Sequence, residues 1–197
     1  MNRKVSFFVI IVVIAMTLGV NVWGNGPGNT SHEMCDDCQA VFDSTDPDAL
    51  NEAEIDGLLL MREEEKLARD VYLYLYDVWN HRVFTNIAGS EQVHMDQMAQ
   101  LLEAYEIADP VVMDPEYGVF TSPLLAGLYE DLTTQGEASL ADALAIGKAI
   151  EVLDIKDLED LISETDEEAI LMVYENLLKG SLNHLSAFER QLYRFGS

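Results

Sequence analysis

The stretch Ser90-Glu91-Gln92-Val93-His94 lies in a run of apolar residues at helical spacing, and it decides the fold. Steps of three and four residues place the following side chains on one face of a helix: Ile87, Glu91, His94, Met98, Leu101 and Tyr105. Because that face is otherwise apolar, we expect it to pack into a core, where an unpaired carboxylate or imidazole is costly. Either a metal ion bound by Glu91 and His94 or a buried hydrogen bond between them would remove that cost.

Four long stretches of the chain show this spacing, and none shows the long alternation typical of strands. They predict helices at residues 51–80, 86–106, 139–163 and 165–195. A connection at 107–136, with a short extra helix at 123–133, joins the second and third of them. Its length is explained if these two helices run parallel, because the chain must then travel the length of a bundle. The expected fold class is therefore all-α, a four-helix bundle.

Polar residues interrupt the apolar face of every predicted helix near its middle. Those able to bind a metal ion are Glu65, Glu91, His94, Glu151, Asp154 and His184. If they meet in one layer, the four carboxylates bring about four negative charges, which two divalent cations would neutralise. Without cations, the layer should destabilise the fold or hold protons through raised pKa values. Carboxylates and imidazoles suit iron or manganese and also accept zinc.

Residues 1–24 have a short basic start, a long apolar run and small residues at their end. This pattern is typical of a secretory signal peptide, and an uncleaved N-terminal anchor is the alternative. We therefore expect the protein to be exported to a periplasmic or extracellular space.

Residues 25–50 lack helical periodicity and predict a flexible arm that precedes the bundle at 51–197. The arm holds the two cysteines of the chain, Cys35 and Cys38. Outside the cytosol, this Cys-x-x-Cys spacing most often closes as a disulfide. A free redox pair and, together with His32, a metal site are the alternatives.

The chain is strongly acidic, with 36 Asp and Glu against 11 Lys and Arg and a net charge of −25. Such a surface repels nucleic acid and anionic lipid and attracts cations. We therefore expect no nucleic-acid partner, and no membrane contact apart from the signal peptide. The charged neighbours of Glu65 are expected to face solvent: Arg62, Glu63, Glu64 and Lys66.

These motifs resemble the ferritin-like superfamily, which includes rubrerythrin and bacterioferritin. The residues that carry the resemblance are Glu65-Lys66-Leu67-Ala68-Arg69-Asp70-Val71-Tyr72, Glu91-x-x-His94, Glu151 and His184. The similarity covers residues 51–194 and is closest to an exported ferritin-like group. It implies a ferritin-like four-helix bundle with a crossover between the second and third helices. It also implies a carboxylate-bridged site for two iron ions.

The sequence departs from the superfamily pattern at Ser181, where a second Glu-x-x-His would have its glutamate. Asp154, one turn after Glu151, is the candidate replacement, and without it one ion would bind alone. Arg69 is expected to pair with an acid beyond the ligands. Tyr72 and Tyr174 are expected either to hydrogen-bond ligand carboxylates or carry an electron, or simply to fill the core.

Three functions are compatible with these residues. The first is an oxidoreductase that reduces peroxide or oxygen with two ferrous ions, supplied by an electron donor that the sequence does not identify. The second is a non-catalytic protein that binds or sequesters metal in the cell envelope. The third is a structural bundle whose polar layer is a hydrogen-bond network. A homodimer is the default expectation for the oligomeric state.

Overall fold

The computed structural model describes residues 40–111 and 116–195, and this part of the chain is helical without any strand. Its helices are α1 (Glu52–Trp79), α2 (Arg82–Ala104), α3 (Pro123–Gly136), α4 (Leu140–Glu164) and α5 (Glu168–Phe195). The prediction of an all-α bundle is thus confirmed. The proposed signal peptide and Cys35 and Cys38 lie outside the described residues. None of the described helices has an apolar stretch long enough to cross a membrane.

The four long helices pack as two antiparallel pairs. α1 lies along α2 and α4 lies along α5, while α1 also contacts α4 and α2 contacts α5. Between α1 and α4, Gly57 lies near Leu161 and Tyr72 reaches Glu151, so residue numbers rise on one helix as they fall on the other. Between α1 and α2, Arg69 binds Gln92 and Glu65 contacts His94, so these two helices are antiparallel as well. Because α2 and α4 are both antiparallel to α1, they run in the same direction, which explains the long connection.

Local hydrogen bonds fix where the helices begin. Asn51 and Glu54 form a capping box at the start of α1. α2 begins at Arg82, four residues earlier than predicted, because the His81 side chain accepts a hydrogen bond from the Val83 amide and caps it. α3 begins at the predicted Pro123 and continues to Gly136, three residues further than expected.

The start of α5 differs slightly from the prediction. The helix begins at Glu168, three residues after the expected cap at Thr165. The Thr165 hydroxyl accepts a hydrogen bond from the Glu167 amide and donates one to Glu54 at 2.6 Å. It therefore joins the start of α5 to the first turn of α1.

Two apolar clusters fill the bundle, one on each side of a polar layer. The first includes Leu75, Phe84, Leu144 and Phe188. The second includes Leu58, Met98, Leu158 and Leu177, and the described end of the predicted arm adds Phe42 to it. Each fully buried side chain of this kind stabilises the fold by about 1.5 to 3 kcal/mol. The clusters thus hold all four long helices in register on both sides of the layer.

The charged neighbours of Glu65 are largely buried, so the expectation that they face solvent was wrong. The exposed fraction is 6% for Arg62, 8% for Glu63 and 1% for Lys66. Glu64 is partly buried. For Arg62, Glu63 and Lys66, the physical reason is the connection between α2 and α3, which lies over their side of α1.

Four buried α1 side chains bind the backbone and side chains of that connection. Glu63 accepts hydrogen bonds from the amides of Thr121 and Ser122. Lys66 donates to Asp70 at 2.5 Å and to the Glu116 carbonyl at 2.8 Å. Arg62 forms two hydrogen bonds with Asp109, and Asp70 accepts from the Gly118 amide. We call Arg62, Glu63, Lys66 and Asp70 the anchor residues.

Replacing Lys66 by Ala is expected to destabilise the protein by about 3 kcal/mol, because it leaves the buried Asp70 with one cationic partner in place of two. Arg69 remains bound to Asp70 and limits the loss. The free energy of unfolding in urea measures the effect. Lys156 is a matched control, since it also pairs with an Asp four residues on but is 62% exposed. Lys156→Ala should be indistinguishable from wild type, and an equal loss in both variants would contradict the prediction.

Candidate metal centre

The candidate ligands come from four helices and meet in the polar layer between the apolar clusters. α1 contributes Glu65, α2 contributes Glu91 and His94, α4 contributes Glu151, and α5 contributes His184. The exposed fractions are 2% for Glu65, 1% for Glu91, 4% for His94, 1% for Glu151 and 7% for His184. Asp154 on α4 lies beside them and is partly buried. The structure therefore brings the residues singled out from the sequence into one place.

Glu91 lies between the two imidazoles. Its Oε2 atom is 2.9 Å from His94 Nδ1, and its Oε1 atom is 3.0 Å from His184 Nδ1. Glu65 Oε2 lies 3.2 Å from His94 Nδ1, and Glu151 Oε2 lies 3.5 Å from His184 Nδ1. The histidine rings are 5.5 Å apart between centroids.

The side chains thus form two groups that share Glu91. The first triad is Glu65, Glu91 and His94, and the second triad is Glu91, Glu151 and His184. In each triad, one potential ligand atom per residue lies within 4.8 Å of the others. Each triad therefore offers two carboxylates and one imidazole to a cation.

Three buried atoms of the triads lack a hydrogen-bond partner among the described residues: Glu65 Oε1, Glu91 Oε1 and His184 Nδ1. Glu91 Oε1 and His184 Nδ1 lie close to each other, but their geometry is not that of a hydrogen bond. An unsatisfied buried polar atom costs about 1 to 3 kcal/mol, and more when it is charged. Coordination to a cation would satisfy all three atoms.

The pKa values of the carboxyl groups differ according to their neighbours. Burial raises the pKa of Glu65 to about 7, although His94 opposes the rise. Burial and then the charge of Glu91 raise the pKa of Glu151 to about 7. Burial alone would also raise the pKa of Glu91, but His184 and His94 together lower it to about 2. Glu91 therefore carries the negative charge that both imidazoles share.

The pKa values of both imidazoles are raised, whereas burial alone would lower the pKa of a histidine. Burial opposes the charged form of His184, yet Glu91 and Glu151 raise its pKa to about 9. In the same way, Glu65 and Glu91 raise the pKa of His94 well above its ordinary range against the effect of burial. The metal-free layer therefore holds protons on imidazoles and carboxyl groups, and a cation would displace them.

Comparison with known proteins places this chain in a family. The family described as "Uncharacterized protein domain (DUF2202)" matches residues 54–197, which include both triads and Asp154. The chain belongs to the DUF2202 family. It is 55% identical over 148 residues to "Uncharacterized protein MJ0754" of Methanocaldococcus jannaschii, covering 75% of this chain and 80% of that protein.

The crystal structure of a related protein supports the helical architecture. The structure titled hypothetical protein MJ0754 from Methanococcus jannaschii matches this chain with a TM-score of 0.73 and 54% sequence identity. The match covers 75% of this chain and 84% of that one. The fold of this DUF2202 chain therefore has an experimental counterpart at high sequence identity.

Two hydroxyl groups hold carboxylates of the layer. The Tyr72 hydroxyl donates to Glu151 Oε1 at 2.6 Å, in agreement with the first of the roles considered for this tyrosine. The Ser181 hydroxyl is hydrogen-bonded to Asp154 and also lies 3.0 Å from the Leu177 carbonyl. Asp154 thus lies opposite Ser181, and burial followed by the charge of Glu65 raises its pKa well above the ordinary range.

Arg69 pairs with an acid beyond the ligands, and Tyr174 fills the core, which was one of the roles considered for it. The Arg69 guanidinium binds Asp70 and the Gln92 side chain, so it supports the anchor residues. Tyr174 is buried in the second apolar cluster, and burial with the charges of Glu64 and Glu54 raises its pKa.

The sequence reasoning gave no role at the site to three residues that lie near it. Ser90 Oγ lies 2.9 Å from His184 Nε2. A Cβ atom at Gly180 would lie 2.4 Å from His94 Nε2, so only glycine leaves room for that ring. Burial, then Asp157 and Glu65, raise the pKa of Glu64 to about 8. Ser90 could have been noticed from its place beside Glu91, whereas the other two depend on which helix lies opposite.

Proposed function

We propose that this chain binds two metal ions in a carboxylate-bridged centre. The observation that carries the proposal is the position of Glu91, which directs one oxygen to each imidazole while buried atoms of both triads lack partners among the described residues. Glu65 and His94 would hold one ion, and Glu151 and His184 would hold the other. Asp154, beside Ser181, is the candidate for an additional carboxylate.

The proposed fold is the ferritin-like bundle. Two antiparallel helix pairs with parallel α2 and α4, joined by a long connection, support this arrangement. A polar layer of carboxylates and Glu-x-x-His in the middle of such a bundle is the place where di-metal proteins of this kind bind their ions.

The donor set favours iron and also suits manganese or zinc. Carboxylate and imidazole ligands are typical of these ions in helical bundles, and no described triad contains a thiolate. Bound iron would supply the redox chemistry, passing electrons to peroxide or oxygen. We therefore propose an oxidoreductase, whose electron donor has yet to be identified. We further propose that it is exported, on the basis of the apolar pattern in residues 1–24.

The protein side chains would control access to the site and the orientation of its carboxylates. All residues of the triads are at most 7% exposed, which favours an oxidant as small as peroxide or dioxygen. The Tyr72 hydroxyl, 2.6 Å from Glu151 Oε1, donates a hydrogen bond to that carboxylate and orients it. The apolar clusters on both sides of the layer exclude bulk water.

The same burial favours a second candidate function. A site enclosed by four helices would release a bound ion slowly, which suits a protein that binds or sequesters metal without catalysis. The two candidates share the ligands and differ in whether the bound metal changes its oxidation state.

Iron loading tests the proposal. The purified, metal-free protein should bind about two ferrous ions per chain under anaerobic conditions, and its melting temperature should rise. Rapid oxidation by peroxide, followed by reduction and a second turnover, would support the oxidoreductase, whereas stable binding without oxidation would support sequestration. An unchanged melting temperature with iron, manganese and zinc alike would refute both, because a ligand that binds only the folded state must stabilise it.

A further inference from the structure

The imidazole of His184 has a polar neighbour at each of its two nitrogens. Nδ1 faces Glu91 Oε1 at 3.0 Å and Glu151 Oε2 at 3.5 Å. Nε2 lies 2.9 Å from the hydroxyl oxygen of Ser90. Ser90 belongs to α2 and His184 to α5, so this contact also joins two helices across the layer.

The direction of the Ser90 contact depends on the state of the imidazole. A neutral imidazole carries one proton, and ligation of a cation through Nδ1 requires that proton to be on Nε2. The Ser90 hydroxyl oxygen accepts a hydrogen bond from Nε2–H in that state. Residues that bind the second nitrogen of a metal-bound histidine fix both its tautomer and its orientation.

We propose that Ser90 is a positioning residue for His184, which rests on the proposed metal-binding function. Ser90 holds the Nε2–H tautomer and directs the Nδ1 lone pair between Glu91 and Glu151. It supports the second triad although it ligates no ion itself. Its effect on binding passes through His184.

The first triad is held in a different way. His94 Nε2 packs against the backbone of α5 at Gly180, where a Cβ atom would lie at 2.4 Å. The orientation of that ring is therefore set by steric contact with a helix backbone. The role of Ser90 is consequently specific for the ion held by His184, and its loss should leave the ion held by His94 in place.

Titration of the metal-free protein with Co²⁺ tests this role, since visible absorption bands report each bound ion. In Ser90→Ala, the affinity for one of the two ions should fall by about 10-fold to 100-fold, while the other ion binds as in wild type. Ser90→Thr keeps the hydroxyl group and should retain both affinities. Ser186→Ala is the matched control, because Ser186 is an exposed residue of α5 only two positions from His184.

The outcomes separate this role from the proposed function. A Ser90→Ala protein that binds every ion as tightly as wild type would overturn the role of Ser90 and leave the metal centre standing. Equal weakening of all ions, with Ser90→Thr no better than Ser90→Ala, would also overturn it, because a general effect on the fold is then sufficient. A wild-type protein that binds no Co²⁺ would refute the proposed function, and the role of Ser90 with it.

Discussion

Replacing Glu91 by Gln is expected to abolish the binding of both metal ions. Glu91 is the only residue common to the two triads, and its oxygens lie 2.9 Å and 3.0 Å from the two imidazoles. The amide has similar size but no charge, and its nitrogen cannot ligate a cation. The affinity for each ion should therefore fall by more than about 100-fold, the upper limit for the loss of an outer partner of a ligand. Titration calorimetry with Mn²⁺ or Zn²⁺ measures both ions.

Replacing a carboxylate that belongs to one triad should have a smaller effect than replacing Glu91. Glu65→Gln and Glu151→Gln should each weaken mainly one ion, because each carboxylate belongs to one triad. Glu103→Gln is the matched control, since Glu103 is an exposed residue of the same helix as Glu91. If Glu91→Gln still bound one ion with wild-type affinity, Glu91 would not be shared and the two triads would be independent sites.

The metal-free protein is expected to lose stability steadily as the pH rises from about 5 to about 9. Glu65 and Glu151 bind their protons more tightly in the folded state, with pKa values raised from the ordinary 4.5 to about 7. The stability they contribute is present at low pH and is lost as the pH rises through 7. The pKa of His184, raised from 6.5 to about 9, adds stability that is complete below 6.5 and is lost as the pH rises through 9.

At acidic pH the stability should instead increase as the pH rises, and a different residue is the cause. Because the pKa of Glu91 is lowered from 4.5 to about 2, its contribution is present above 4.5 and is lost as the pH falls towards 2. Metal-free protein should therefore be most stable near pH 5. Urea unfolding in the presence of a chelator, followed by circular dichroism across this range, measures the curve.

Above pH 5, bound metal should oppose the loss of stability that the metal-free protein shows as the pH rises. A cation requires deprotonated ligands, so the rise in melting temperature caused by Mn²⁺ or Zn²⁺ should grow between pH 5 and pH 8. Repulsion within the acidic surface also lowers stability at high pH. Glu151→Gln distinguishes the two causes, because it removes a titrating group of the layer while Glu103→Gln removes only a surface charge. A metal-free stability that increases from pH 5 to pH 9 would contradict the assigned pKa shifts.

Much of the site could be predicted because its residues repeat at the helical period. Glu91 and His94 interrupt one apolar face, and the same kind of interruption marked Glu65, Glu151 and His184 on other helices. A core face is a local property of a helix, so the sequence reports it directly. The relative direction of the helices could also be inferred, since only parallel second and third helices need so long a connection.

The rest depends on which elements lie opposite each other, and the local pattern does not contain that information. Lys66 and Glu63 looked like solvent charges because α1 has one apolar face, but the connection covers their side of the helix. Glycine is required at position 180 because the ring of His94 from α2 packs against it. Ser90 has a role because the ring of His184 from α5 lies within hydrogen-bond distance of its hydroxyl. The start of α2 at Arg82 was missed because His81, an uncommon cap, replaces the usual serine, threonine or aspartate.

Adjacent residues of α1 serve different sides of the helix, since Glu65 faces the polar layer and Lys66 faces the connection. Successive residues of an α-helix are rotated by about 100°, so a single inserted or deleted residue upstream in α1 would turn both sides away from their partners at once. Natural variation in this segment should therefore consist of substitutions and not of changes in length. A polar layer of this kind transplanted into another helical bundle would also need the segment at 116–122, or neutral replacements for Glu63, Lys66 and Asp70, which that segment covers.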